Sequence, residues 1–349
     1  MKILMISPVI ETVPPKKYGG VELVVYNLTE GLIKRGHSVT LFAPAESKTS
    51  AKLIPNSPDG GMRGKPIEEV RRAEFLQAAK MLEIENDFDI IHCHFGADVF
   101  PFGQVAHLLR TPILFTLHGR LDLHTLREFY QDERYRKLNF VSISNDQRGA
   151  LPELNYVATV YNGVDLKNFP FSEKSEDYLI FLGRVSPEKG IVPAIKIAKR
   201  LNETLHILAK VDPADREYYE KKVKPLIDNK LIIFHGEVSH KEKVKWLSKA
   251  RTLLFPIEWR EPFGLVMIEA MACGVPVIAP ARASTPEIVL DGKTGFLVDP
   301  QNMIEESIRV FKKIDEIKRI ECRKHVEKNF TAEKMVEEYL KIYQKLAKK

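Results

Sequence analysis

Short apolar runs alternate with stretches of helical periodicity over almost the whole chain. Lys2 to Ser7 is the kind of continuous apolar run that a strand buried on both faces requires. A loop from Pro8 to Tyr18 leads to Gly19-Gly20. Val21 to Lys34 then sets Val24, Val25, Leu28, Leu32 and Ile33 on one side of a helix. Gly36 stops that helix and Val39 to Ala43 returns as a strand, completing a βαβ unit. Ser47 to Gly64, rich in Ser, Pro and Gly, reads as a long mobile loop. Glu68 to Glu85 reads as a second helix. Ile90 to His94, Ile113 to His118 and Asn139 to Ser144 follow as short strands with helical linkers. A doubly wound sheet of this kind binds ligands outside the carboxyl ends of its strands.

Near Val160 to Asp165 a strand ends in a Gly turn, and the chain turns rich in Pro, Ser and charge through Asp177. The domain boundary belongs there. The pattern then restarts, with strands at Tyr178 to Leu182, Leu205 to Ala209, Leu231 to Phe234, Thr252 to Phe255, Val275 to Ala279 and Gly295 to Val298. Helices are expected at Gly190 to Arg200, Glu217 to Leu226, Glu242 to Ala250 and between Gly264 and Gly274. The tail, with Thr331 as N-cap, is an amphipathic helix carrying Met335, Val336, Tyr339, Ile342, Tyr343 and Leu346 on one side. The division expected is residues 1–165 with helix 331–349, and residues 166–330.

Composition narrows the classes. With 349 residues and 44% apolar content the chain can fill two cores. The three cysteines, Cys93, Cys273 and Cys322, are odd in number and widely spaced, which points to a reducing, cytoplasmic setting. No apolar run reaches the ~18 residues of a membrane span. The formal charge of +6 lies wholly in the second half, because Lys plus Arg and Asp plus Glu balance at 19 each up to Val164. A basic second half suits an anionic nucleotide. No compact basic patch with interleaved aromatics argues for nucleic acid.

The chemistry concentrates in LLFPIEWREPFGLVMIEAMACGVP, Leu253 to Pro276. Pro262 and Gly264 mark the passage from loop to helix, so backbone N–H groups of Phe263, Gly264, Leu265 and Val266 should be offered there. Glu261 and Glu269 would lie roughly 12 Å apart at 1.5 Å per residue, too far for a glycosidase-type pair. That spacing suits an elongated, hydroxyl-bearing ligand held at both ends, or simply a loop Glu and a helix-surface Glu. FLGRVSPEKG, Phe181 to Gly190, places Arg184 and Lys189 about a turn at a strand's carboxyl end. Two cations so placed can share a diphosphate, or can be ordinary surface charges. Gly19-Gly20 at a helix start lets N–H groups approach an anion, although neither a dinucleotide fingerprint nor a P-loop surrounds it. His118 ends a strand in LHGRLD. His92 and His94 share one strand face with Cys93 on the other, which rules against a joint metal site, and no Asp-x-Asp stands at a strand end.

Glu261-Pro-Phe-Gly-Leu-Val-Met-Ile-Glu269, followed by Ala270, Gly274 and Pro276, resembles the Glu-seven-residues-Glu signature of the retaining glycosyltransferases of family 4. Gly183-Arg184 with Lys189-Gly190, Gly19-Gly20, the His118-Gly119 pair and the turn Asn162-Gly163-Val164-Asp165 resemble further elements of that family, in the same order. The resemblance implies an α/β GT-B fold: two facing Rossmann-like, doubly wound domains, with a C-terminal helix crossing back to the first. It implies a hexosyltransferase using a nucleotide-diphosphate sugar and a hydroxyl acceptor, without an essential metal; no further cofactor and no stable membrane insertion are expected. By the same resemblance Glu261 contacts the donor-sugar hydroxyls, Glu269 the ribose, and Arg184 and Lys189 the leaving diphosphate. His118 lies over the sugar, Gly19 and Gly20 meet phosphate or acceptor, and Val238 offers backbone groups to the base. UDP is favoured as the nucleotide on family frequency.

Two stretches depart from the family. Lys210-Val211-Asp212 stands where many members have Gly-x-Gly, making Lys210 a further candidate contact to phosphate or base. Ala283-Ser284-Thr285 replaces the commoner Gly-Gly, leaving Ser284 and Thr285 as candidate phosphate donors, with Glu287 bracing the loop. Arg120 and Asp122 line an acceptor pocket or pair with each other. The alternatives are another GT-B sugar-nucleotide enzyme (an epimerase or a phosphorylase) or a catalytically silent binding subunit, which would be marked by loss of His118, Glu261 or the cation pair.

Overall fold

The apolar runs become strands in the computed structural model, which describes residues 1–57 and 60–347 and holds thirteen strands among them. The chain divides into two compact units, Met1–Gly163 with Ala332–Lys349, and Val164–Thr331.

The first unit holds β1 (Lys2–Ile6), β2 (Ser38–Ala43), β3 (Lys52–Pro55), β4 (Ile90–Phe95), β5 (Ile113–Leu117), β6 (Asn139–Ser142) and β7 (Tyr156–Thr159). They form one parallel sheet in the order β3-β2-β1-β4-β5-β6-β7. Helices cover both faces of such a sheet, which is why β4, IIHCHF, is buried at every position, histidines included. The first helix, Gly20–Lys34, packs on the last, Ala332–Ala347, so closely that a Cβ on Gly31 would sit 2.5 Å from Val336 Cγ2. That last helix buries Met335, Val336, Tyr339, Ile342, Tyr343 and Leu346, the stripe its spacing predicts. Burial of each such side chain contributes roughly 1.5–3 kcal/mol.

The second unit holds β8 (Leu179–Arg184), β9 (Leu205–Lys210), β10 (Ile232–Gly236), β11 (Thr252–Leu254), β12 (Val277–Pro280) and β13 (Gly295–Val298). Their order, β10-β9-β8-β11-β12-β13, again parallel, reverses between β8 and β11. The unit starts and finishes side by side, since Val164 bridges Thr331 and its N–H donates to Phe330 O at 3.0 Å.

Two expectations change. The loop expected over residues 47–64 contains β3, whose Leu53 and Ile54 pair with Leu41 and Phe42. The sheet extends there because Pro55, which has no N–H, sits at the end of an edge strand, where none is needed. Residues 58 and 59 of that loop, and the last two of the tail helix, lie outside the described residues. The helix expected over Glu217 to Leu226 breaks into Arg216–Tyr218, a wide π turn Tyr219–Val223 and a 3-10 turn Lys224–Leu226. Pro225, which has no N–H, prevents a regular α-helical ladder from running on to Leu226. Among the described residues no helix is long and apolar enough to cross a membrane.

Candidate active site

In the second unit the reversal of strand order puts a crevice at the carboxyl ends of β8 and β11. Lys189, in the turn after β8, donates from Nζ to Glu261 Oε2, in the loop after β11, at 2.5 Å. The two loops are clamped together. Glu258 N–H donates to Glu188 O at 2.9 Å, and Gly190 lies so close to the chain leaving β11 that a Cβ would come within 1.8 Å of Pro256 O. Gly190 also has φ +74°, a left-handed conformation in which side chains are strained. Trp259 supports the pair from both directions: its Nε1–H donates to Glu261 Oε2 at 2.8 Å and its ring centre lies 4.8 Å from Lys189 Nζ. Glu261 is 8% exposed, so the reading as a solvated loop Glu is overturned.

Arg184 is the last residue of β8 and stands in register with Lys210, the last of β9. Two adjacent cations at a sheet edge repel unless compensated, and here three carboxylates do so. Arg184 meets Glu188 at 2.5 Å, Asp215 at 3.3 Å and Asp212 at 4.0 Å, and Lys210 meets Asp212 at 2.8 Å. Burial pushes the Asp215 carboxyl up, against the pull of Arg184. Arg184 is therefore bound among carboxylates, not presented as a bare cation, while Lys189 has one carboxylate partner and three donors.

The helix Leu265–Ala272 starts from Gly264 at φ +84°. The N–H groups of Leu265 and Val266 belong to the first turn, which a helix leaves to outside partners. Phe263 is buried, 6.1 Å from Phe330 in an edge-to-face contact. Glu269 is 3% exposed and takes a 2.7 Å hydrogen bond from Lys243 Nζ, so it is no helix-surface Glu. Lys243 comes from the helix His240–Lys249, which opens with a capping box of Ser239 and Glu242 directly after Val238. Ser284 and Thr285 do not serve as phosphate donors. Both are wholly buried, Ser284 Oγ donating to Phe263 O at 2.9 Å and Thr285 Oγ1 to carbonyls of its own loop. Ser284 braces the start of the Glu269 helix, and Thr285 braces its own loop.

In the first unit Gly19 caps the helix Gly20–Lys34, where a Cβ would meet Pro15 at 2.6 Å. Glu22, in the first turn, is 5% exposed, and burial pushes its carboxyl up to about 7, only partly offset by a hydrogen bond from its own N–H. The helix start thus already holds an acidic side chain of its own. His118 follows β5 directly. Its Nε2 lies 2.9 Å from Nδ1 of His94, which is wholly buried beneath it. Burial lowers His118 to about 3 and takes His92 and His94 well below their ordinary value, so the imidazoles are neutral near pH 7. His92 joins Thr116 (2.8 Å) and Tyr343 (2.6 Å), and Thr116 joins Tyr339 (2.9 Å). Cys93 faces the opposite core. Arg120 pairs with Asp122 at 2.7 and 2.8 Å.

Trp259, Lys243, His94 and Glu22 were not singled out as site residues by the sequence. Trp259 carried a signal, an aromatic two residues before Glu261. Lys243 did not, being 26 residues from its partner. Among the described residues no three His, Cys, Asp or Glu side chains are grouped to hold a metal ion.

Comparison with known proteins agrees with this architecture. An uncharacterized glycosyltransferase of Methanocaldococcus jannaschii is 27% identical, over 94% of this chain and 95% of its own. Sucrose-phosphate synthase from Thermosynechococcus elongatus superposes with a TM-score of 0.79 at 22% identity, covering 99% of this chain and 98% of its own. Anabaena HepE, solved in complex with UDP and glucose, gives 0.74 at 17% identity, covering 99% and 100%. These two share the fold. The family model "Glycosyltransferase Family 4" matches residues 18–168, and "Glycosyl transferases group 1" matches residues 165–343. The chain belongs to the group 1 glycosyl transferases, with the GT-B fold of two Rossmann-like domains.

Proposed function

We propose that this protein moves a hexose from a nucleotide-diphosphate sugar, with UDP as the nucleotide, to a hydroxyl acceptor with retention of configuration. The observation that carries the reading is the Lys189–Glu261 pair, a cation and a buried carboxylate held 2.5 Å apart where the strand order reverses. Glu261 accepts hydrogen bonds from sugar hydroxyls, and Lys189 supplies its ammonium donors to the diphosphate. Glu269, held by Lys243, accepts from the ribose hydroxyls. His118, neutral, hydrogen-bonds a sugar hydroxyl. The bond from the anomeric carbon to the phosphate oxygen breaks as the acceptor oxygen bonds to the same face, and the acceptor proton passes to the departing phosphate oxygen. Negative charge grows on the diphosphate, where Lys189 and the helix-start N–H groups of Leu265 and Val266 stabilise it. The ammonium donors take the part that a divalent ion would otherwise play.

The test is to incubate the purified protein with UDP-, GDP- and ADP-hexoses, measuring binding by calorimetry and slow donor hydrolysis by nucleotide release. Saturable binding of one class, with release of the nucleoside diphosphate, is expected. Absence of binding to all three would remove the donor assignment.

A further inference from the structure

Three histidines stack at the carboxyl ends of β4 and β5. Register sets His94 opposite Thr116, and His118 lies one pleat further along. The His92 and His94 rings are 4.1 Å apart, and the His94 and His118 rings 5.2 Å apart at 24°. His92 is fixed at both nitrogens, by Thr116 and by Tyr343. His94 is fixed at only one. Its Nδ1 lies 2.9 Å from His118 Nε2, while its buried Nε2 meets no hydrogen-bonding partner among the described residues.

A hydrogen bond between two neutral imidazoles holds one proton, and its location sets both tautomers. If His118 donated, His94 would carry its proton on Nε2, burying an N–H with no acceptor. If His94 donates, only a lone pair is left without a partner. Orphaned buried N–H groups are the rarer of the two. The proton therefore belongs on His94 Nδ1, and the His118 proton is displaced to its own Nδ1.

We propose that His94 is a positioning residue that holds His118 in the Nδ1–H tautomer, so that His118 meets a substrate hydroxyl as a hydrogen-bond donor. This reverses the preference of an isolated neutral histidine, which carries its proton on Nε2. The consequence for substrate rests on the reading of His118 as a sugar contact; the tautomer itself does not.

Both parts can be measured on the full chain. With 15N-histidine labelling, long-range 1H–15N correlation spectra report the tautomer of each ring, and His118 and His94 are assigned by their loss in substituted proteins. His118 is expected as Nδ1–H in the parent and in His94→Asn, whose amide can still donate from near the same place, and as Nε2–H in His94→Phe. A parent His118 in the Nε2–H form would overturn the proposal. The kinetic arm uses hydrolysis of UDP-glucose. His94→Phe should lower kcat about tenfold, the scale of one hydrogen bond, with donor KM within about twofold, and His94→Asn should restore most of it. In a His118→Ala background the His94→Phe effect should vanish. Its persistence there would make His94 merely structural. A His118→Ala protein with unchanged turnover, beside an Nδ1–H signal in the parent, would instead remove the sugar-contact reading and leave the tautomer standing.

Discussion

The three glycines at positions 190, 264 and 292 form a graded experiment within the second unit. All have positive φ, of 74°, 84° and 69°, so alanine at any of them carries the left-handed penalty of roughly 1–2 kcal/mol, reduced by a stiffer unfolded chain. What differs is the space. A Cβ at Gly292 meets nothing within 4 Å, so Gly292→Ala should cost about 1 kcal/mol. At Gly264 the Cβ would fall 2.7 Å from Met267 Cε, the far end of a flexible side chain, and Gly264→Ala should cost about 2 kcal/mol. At Gly190 it would fall 1.8 Å from a backbone oxygen, Pro256 O, and the chain must part by more than about 1 Å. Gly190→Ala should cost more than about 4 kcal/mol and uncouple Lys189 from Glu261. Chemical denaturation followed by Trp259 and Trp246 fluorescence would rank the three, with calorimetric donor binding reporting the separated loops. A Gly190→Ala protein as stable as Gly292→Ala, with donor binding intact, would refute the claim that this contact holds the pair together.

Lys189→Ala should lower kcat by roughly 100-fold, about 2.7 kcal/mol, because its contact strengthens as charge grows on the diphosphate. Glu269→Ala should chiefly raise donor KM, since ribose charge is unchanged in the reaction; steady-state kinetics at saturating acceptor separates the two, and wild-type kcat in Lys189→Ala would assign the task to Arg184 or the amides. Donor hydrolysis should survive excess chelator, and its loss with recovery on adding magnesium or manganese would defeat the metal-independent reading. Glu22 binds its proton more tightly folded, about 7, than unfolded, 4.5, so its contribution to stability is full below pH 4.5 and lost as pH rises through 7. Glu22→Gln should therefore gain on the parent by about 3 kcal/mol between pH 4.5 and 9 in urea titrations, and a pH-independent difference would show that Glu22 titrates normally.

Much of this was legible because each sheet is parallel and covered on both faces, so its strands read as apolar runs. The edge strand Lys52–Pro55 escaped because four residues flanked by Ser, Pro and Gly look like turn. Glu261 and Glu269 were visible as a spacing, but their burial was not. It depends on partners 72 and 26 residues away, Lys189 and Lys243, brought near by sheet order. Arg184 illustrates the limit from the other side. The motif identified the cation and held Glu188 four residues on, while Asp212 and Asp215 come beside it only when β8 and β9 are laid in register. His94 read as one of two same-face histidines, and its contact with His118 needed the alignment of β4 with β5.

The side-by-side ends of the second unit, Val164 against Thr331, have a consequence for synthesis. The ribosome makes residues 164–331 as one uninterrupted piece, which can close its core as it emerges. The first unit, begun earlier, must wait for Val336 to reach Gly31 and for Tyr339 and Tyr343 to reach Thr116 and His92. The half that is translated first is thus the half completed last. Until then the part of its first helix around Gly31, where Val336 packs, is uncovered. A premature stop shortly after residue 331 would spare the second unit and take Tyr339 and Tyr343 from the histidine stack.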